Sequence, residues 1–279
     1  MTDALDERMR HIRDRFGLHY HASYVVNAEM MAGFAGKRVL EVGGSLPRAL
    51  VLDELKATSW LGIEETSYYD DAGGMPPHLA DAPPLAELPA ELDGWQVARG
   101  GVENLPEALW GRFDLVFSIA AFEHIGRMPL ALDRMYRALA PGGQLVSIFS
   151  PIWSAHDGHH LHGVTDLNGR TFTFADSPIP PWGHLLMTPA EMYGHLCGVT
   201  DRDAAAEIVY QVYNAPCINR LFTEDYVAFL KTTRFRVLRL DTTYVRPVPP
   251  ETQAALEARH PGYRHFGNNG LLIHLEKAE

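Results

Sequence analysis

Short, almost wholly apolar runs alternate with helix-like stretches through the first 150 residues, and no other feature narrows the fold as far. "KRVLEVGG" (37–44), "SWLGIEE" (59–65), "FDLVFSIAA" (113–121) and "QLVSIFSP" (144–151) hold too few polar residues to leave one face in water. That is the pattern of parallel strands covered on both sides. "GWQVARGG" (94–101) reads as a further strand between the second and third of these. Apolar residues recur at helical spacing over 48–58 and from about Pro129 to Leu139, and Pro47 suits a first helical turn. Strand, helix, strand in this order predicts an α/β fold with a mostly parallel sheet. Ahead of it, residues 3–34 predict one or two amphipathic helices. After it come a helix over "TEDYVAFLKTT" (223–233) and strands over "FRVLRLDTTYV" (235–245) and "GLLIHLEKA" (270–278). Residues 66–94 read as an irregular excursion, rich in proline and glycine.

Charge and cysteine content remove several classes of function. A net charge of −11 lacks the basic footprint that broad binding to nucleic acid or an anionic membrane requires. Two cysteines, Cys197 and Cys217, make no CxxC and no disulfide framework, which fits a reduced, cytoplasmic setting. The charged N-terminus has no signal-peptide core, and no apolar run approaches the ~18 residues of a membrane span. Only four of the 24 basic residues are Lys, a bias that fits a GC-rich bacterial genome.

"RVLEVGGSLPRALVL" (38–52) places a glycine turn between a buried strand and a helix, the usual cradle for a nucleotide-type cofactor. It has no P-loop lysine, and Ser45 stands where a dinucleotide fingerprint needs glycine. The other segments decide between the remaining cofactors. "VLEVGG" (39–44), "GIEE" (62–65), "GGVENLP" (100–106), "FDLVFSIAAFEHI" (113–125) and "ALAPGGQLV" (138–146) follow one another in a familiar order. Together they resemble class I S-adenosylmethionine-dependent methyltransferases, in particular the small-molecule group typified by FDLVxSxxxxEHI and LxPGG. The resemblance covers residues 36–150 well and 221–276 loosely. It implies a Rossmann-like sheet whose last strand is antiparallel, with S-adenosyl-L-methionine as cofactor and S-adenosyl-L-homocysteine as product.

The same resemblance implies where the cofactor lies. Glu41 would accept from the methionine ammonium, while Gly43, Gly44 and Ser45 let backbone approach the ligand. Glu64, ending the second strand, would take both ribose hydroxyls. Val102 and Glu103 would hold adenine, and Ser118 and Ile119 would lie beside the methionine portion. The chain departs from the family pattern at Ser45 and Pro47, which replace glycines, and at Gly101, which replaces an acid. Asp114 reads as a strand anchor that touches no ligand.

Acceptor choice in such proteins sits in the N-terminal helices (1–35) and in inserts such as residues 151–219, with 36–150 and 220–279 forming the core. The insert is too short of periodic apolar pattern to bury a core of its own, so it reads as a cap over the strand ends. It packs His156, Asp157, His159, His160 and His162 into "HDGHHLH" and adds His184. Methyl transfer to a hydroxyl or amine needs a proton removed, and neutral histidine is the best-poised base near neutral pH. The candidates are His159, His160, His124 and His184. Neighbouring His159 and His160 diverge on a strand or a helix, so one can face the acceptor while the other packs. Three readings of the cluster stay open: a solvated loop, a general base, or a divalent-metal site completed by Asp157 or His184. The expected acceptor is a polar small molecule, with no nucleic-acid or membrane partner, and a homo-oligomer is left open. A non-methylating enzyme of the same fold, such as a cyclase or decarboxylase, and a cofactor-binding regulatory protein are the competing functions.

Overall fold

The computed structural model describes residues 2–66, 75–88 and 92–278; part of the expected 66–94 excursion lies outside the described residues. Seven strands form the main sheet: β1 (Arg38–Val42), β2 (Ser59–Glu64), β3 (Trp95–Arg99), β4 (Phe113–Ile119), β5 (Leu139–Phe149), then β8 (Arg236–Thr243) and β9 (Gly270–Glu276). Between β5 and β8 a two-stranded ribbon pairs β6 (Val164–Thr165) with β7 (Thr171–Phe172). The order across the main sheet is β3-β2-β1-β4-β5-β9-β8. All pairs among β1 to β5 are parallel, and β9 runs against both its neighbours. This is the mostly parallel, Rossmann-like sheet with an antiparallel last strand that the sequence predicts. The order reverses between β1 and β4, the crevice where open α/β sheets receive ligands.

Alternation along β1 divides the core into two layers. Leu40 and Val42 join Ile63, Val116, Leu145 and Phe149 on one face, covered by α3 (Met128–Ala138) and later by α6 (Thr223–Thr232). Val39 faces the other way, toward Trp60, Phe117 and Phe34, whose rings meet at 5.2–5.8 Å. Helices α1 (Thr2–Phe16) and α2 (His21–Ala32) cover that face, as the N-terminal pattern predicts. Asp114 anchors its strand: it accepts from the Arg38 backbone N–H at 2.9 Å and from the guanidinium at 2.7 and 3.0 Å. Those bonds hold its carboxyl below the usual range.

Two elements differ from expectation. The segment expected as a helix over 48–58 is wound wide over Ala49–Glu54, with the Leu55 N–H bonded to the Leu50 carbonyl at 2.9 Å. The wider turn lets Leu50, Val51 and Leu55 all bury against the sheet. The larger correction concerns the insert, which does bury a core. It contains α4 (Pro189–Leu196) and α5 (Arg202–Tyr213), each opened by a side-chain cap, Thr188 and Asp201 respectively. Met192, Leu196, Ala205, Ile208 and Val212 pack there against Trp153, Phe172 and Trp182. The same cluster takes in Leu256, from α7 (Pro250–Arg259), and Phe266, both lying between β8 and β9.

Candidate functional site

The glycine turn closes tightly over the carboxyl end of β1. Gly43 has φ 77, and a Cβ on it would stand 2.2 Å from the Ala121 Cβ. Only glycine fits there, and the turn is therefore pressed directly onto the segment that follows β4. Glu41 folds beneath the turn, so closely that a Cβ on Gly44 would meet its Oε1 at 2.5 Å. Its Oε2 accepts from the Leu46 backbone N–H at 2.9 Å and from the Trp60 indole at 2.6 Å. The carboxyl is 1% exposed, and burial pushes it up to about 7. The structure thus places Glu41 as the support of the turn, with its recorded hydrogen bonds going to protein donors.

At the end of β2, Glu64 accepts from the Ser45 hydroxyl at 2.7 Å. Having donated there, Ser45 Oγ can only accept at its 2.7 Å contact with His78 Nε2, which fixes the imidazole as donor. The serine in place of glycine therefore joins turn and strand end. Beyond β3, Val102 is buried and Glu103 accepts from the Arg127 backbone N–H at 3.2 Å. A Cβ on Gly101 would lie 2.9 Å from a Glu103 oxygen and 3.1 Å from a Glu65 oxygen. Two carboxylates thus converge on the place where the family pattern puts an acid. Ser118 is fully buried and donates to the Val42 carbonyl at 2.8 Å, pinning β4 to β1 at the switch point; Ile119 is buried beside it.

Next to Ala121 opens a cavity of ≈ 330 Å³ over the ends of β4 and β5. Its walls come from the α1–α2 junction (Tyr20, His21), the turn after β4 (Glu123, His124) and the start of the insert (His160, His162). Two of its backbone positions, Ala120 and His160, are left-handed at φ 47, the kind of strain that gathers at functional sites. Glu123 is 1% exposed; backbone N–H groups of Glu123 and Ser150 bond to the carboxyl, while Oε2 is buried with no hydrogen-bond partner. Burial pushes this group up to about 8.

His124 Nδ1 lies 2.6 Å from the Cys217 carbonyl, and His160 Nδ1 lies 2.9 Å from the Gly158 carbonyl. A carbonyl cannot donate, so both rings carry their proton on Nδ1 and keep a lone pair on Nε2. Burial lowers His124 to about 4 and His160 well below the usual imidazole range, so both are neutral. The two rings meet edge-on at 5.2 Å.

The other two candidate histidines are not brought here. His159 is buried in the insert, accepts from the Leu161 N–H at 3.1 Å and is lowered to about 4 by burial. His184 donates from Nε2 to the Trp153 carbonyl at 2.8 Å and packs on that indole at 4.6 Å, lowered by burial to about 3. Asp157 is held by Asn269 at 2.7 Å and His156 at 3.3 Å. Among the described residues the cluster 156–162 therefore forms no metal-ligand set of its own with Asp157 or His184. Among the described residues, the one set of three converging ligand groups is Glu123, His124 and His160. Sequence reading missed Asn219, whose side chain donates to the Phe122 and Ile125 carbonyls at 2.7 and 3.1 Å while its own N–H bonds the Glu123 carbonyl. It clamps the Glu123–His124 turn, and no local pattern marks it.

Residues 81–147 match the model of a family described as a methyltransferase domain. Among solved structures, an S-adenosylmethionine-dependent methyltransferase from Mesorhizobium loti is 15% identical, over 91% of this chain and 96% of its own, with a TM-score of 0.46. A candidate enzyme of the same kind from Listeria monocytogenes is 16% identical over 94% and 100%, TM-score 0.49. The [4+2]-cyclase SpnF is 13% identical over 92% and 82%, TM-score 0.46. At these values none of the three bears on what this chain does. No curated protein matches it by sequence.

Proposed function

We propose that this chain binds S-adenosylmethionine along the carboxyl edge of β1 to β3 and transfers its methyl to an oxygen or nitrogen of a polar small molecule in the adjoining cavity. The observation that carries the reading is the contact between Gly43 and Ala121. It presses the turn onto the segment after β4 whose Ala120, Glu123 and His124 line the cavity, in a chain whose residues 81–147 match a methyltransferase domain. In this reading the Glu64 carboxylate at the end of β2 accepts from the ribose hydroxyls, and Glu103 borders the adenine.

Transfer needs the acceptor lone pair in line with the methyl–sulfur bond, so positioning supplies much of the rate. The carbon–sulfur bond breaks with its electron pair left on sulfur, giving S-adenosylhomocysteine, and the acceptor loses a proton. His124 and His160, each neutral with a lone pair on Nε2, are the residues in place to receive it. Their low basicity suits late proton removal, because an alkylated hydroxyl is a far stronger acid than the alcohol it came from. His159 and His184, inside the insert, support the cap and leave the proton to these two. The free thiols of Cys197 and Cys217 accord with a reducing, cytoplasmic setting. No described helix is long and apolar enough to cross a membrane.

Calorimetry with S-adenosylmethionine and S-adenosylhomocysteine tests the first half of this reading. Both should bind, and Glu64→Ala should weaken binding by about 1.5–3 kcal/mol, the range for a hydrogen bond to a charged group. Unchanged affinity in that variant removes Glu64 from the site, and no binding of either ligand to the folded chain defeats the proposal. Transfer of labelled methyl into a polar metabolite fraction tests the second half.

A further inference from the structure

We propose that Glu123, His124 and His160 form a site for a divalent transition-metal ion that opens into the cavity. Each of the three offers one ligand atom, and these atoms lie within 4.8 Å of one another. Ligands sharing one ion at 2.0–2.2 Å stand about 3–3.4 Å apart, so small side-chain rotations close the set. The tautomers are already those of metal ligands. Each imidazole donates from Nδ1 to a backbone carbonyl, Cys217 for one and Gly158 for the other. Such bonds orient a ligating ring and fix its proton on Nδ1.

The second, independent observation is Glu123 itself. Its Oε2 is buried against the cavity with no hydrogen-bond partner, in a residue 1% exposed. A buried polar atom left this way calls for an explanation, and a cation supplies one. His21, which also lines the cavity, likewise has a buried Nε2 without a hydrogen-bond partner. Two imidazoles and one carboxylate favour Mn, Fe, Co or Zn over Mg or Ca, which prefer all-oxygen shells. Three protein ligands leave coordination positions free on the cavity side, the arrangement of a working metal centre more than of a structural one.

The role of the ion, unlike its binding, rests on the methyl-transfer reading above. With both imidazoles ligating the ion they no longer serve as base: an acceptor hydroxyl bound to the ion becomes acidic and gives its proton to water instead. The resulting oxygen attacks the methyl carbon, the carbon–sulfur bond breaks, and the products are a methyl ether, S-adenosylhomocysteine and one released proton. Free coordination positions side by side would select acceptors with two neighbouring oxygens, such as a diol or a hydroxy acid.

The test uses the full chain, stripped with a chelator and titrated with Co²⁺, Mn²⁺ or Zn²⁺ alone, by calorimetry and, for Co²⁺, by visible absorption. One equivalent should bind, with ligand-field bands for Co²⁺. Glu123→Gln and His160→Ala should each weaken binding at least tenfold while keeping the wild-type circular dichroism; His159→Ala should not. Folded wild-type chain that fails to bind any of the three ions at millimolar concentration overturns the site, as does equal affinity in Glu123→Gln and His160→Ala. Should a variant not fold, the Co²⁺ spectrum of the wild-type chain still decides, since ligand-field bands distinct from those of the aqueous ion have to appear in it at one equivalent. Binding of S-adenosylmethionine is measured alongside. A chain that binds cofactor but no metal loses this inference alone, and one that binds metal but no cofactor keeps the site and loses the methyl-transfer reading.

Discussion

The Glu41 carboxyl takes two N–H bonds in a place that water barely reaches, and its protonation is therefore tied to folding. Burial raises it to about 7 from an ordinary 4.5, with the nearby Glu64 charge adding to the effect. The folded state holds this proton more tightly than the unfolded chain does. The resulting stability is complete below about pH 4.5 and is lost as pH rises through 7. Glu41→Gln keeps an acceptor for the Leu46 and Trp60 donors and removes the titration. Urea unfolding at pH 5 and pH 8 should show the wild type losing on the order of 3 kcal/mol relative to the variant. Parallel losses would mean that the carboxyl is not buried in solution. Sequence placed Glu41 at the right strand end, but it could not show whether the side chain points up to a ligand or down under its own turn. That choice depends on Trp60, a neighbour supplied by the next strand.

Among the elements, the legible ones are those whose composition differs sharply from their surroundings. β1, β2, β4, β5 and β9 read clearly because they are buried on both faces. α5 hides because its buried stripe is Ala204, Ala205, Ile208 and Val212, and the alanines give little contrast with the outer face. α7 buries only Leu256, too little for any periodic signal. The wide winding of Ala49–Glu54 has no composition that sets it apart from an α-helix. The turn after β1 was legible as a glycine turn, but its pressure on Ala121 is a contact between elements far apart in the chain. Gly43→Val tests that contact. With φ 77 and a Cβ position 2.2 Å from Ala121, the variant should lose at least ~2 kcal/mol in thermal or urea unfolding. Its cofactor affinity should fall as well. A fully stable Gly43→Val would show that the turn does not press on Ala121.

At the scale of the molecule, the insert and the sheet each have a core, and the insert's core draws on two stretches of chain. Leu256 and Phe266 are fully buried in it although they lie between β8 and β9, outside residues 151–219. Leu256→Ala should therefore cost about 2–5 kcal/mol, as a core leucine does, measured by urea unfolding. A cost below ~1 kcal/mol would mean that the second stretch merely rests on the first. The convergence of His124 and His160 belongs to this scale too. One histidine follows β4 and the other sits in the insert, and only the folding of the insert over the sheet makes them neighbours.

A second core assembled from two stretches on either side of β8 also constrains how such a protein can change over evolutionary time. No single insertion could have added it to a bare sheet in its present form, and no single crossover can exchange it. A chimera that takes only residues 151–222 from a relative would set foreign side chains against Leu256 and Phe266. A change in what the cavity admits must then come from substitutions around it, or from the inheritance of both stretches together.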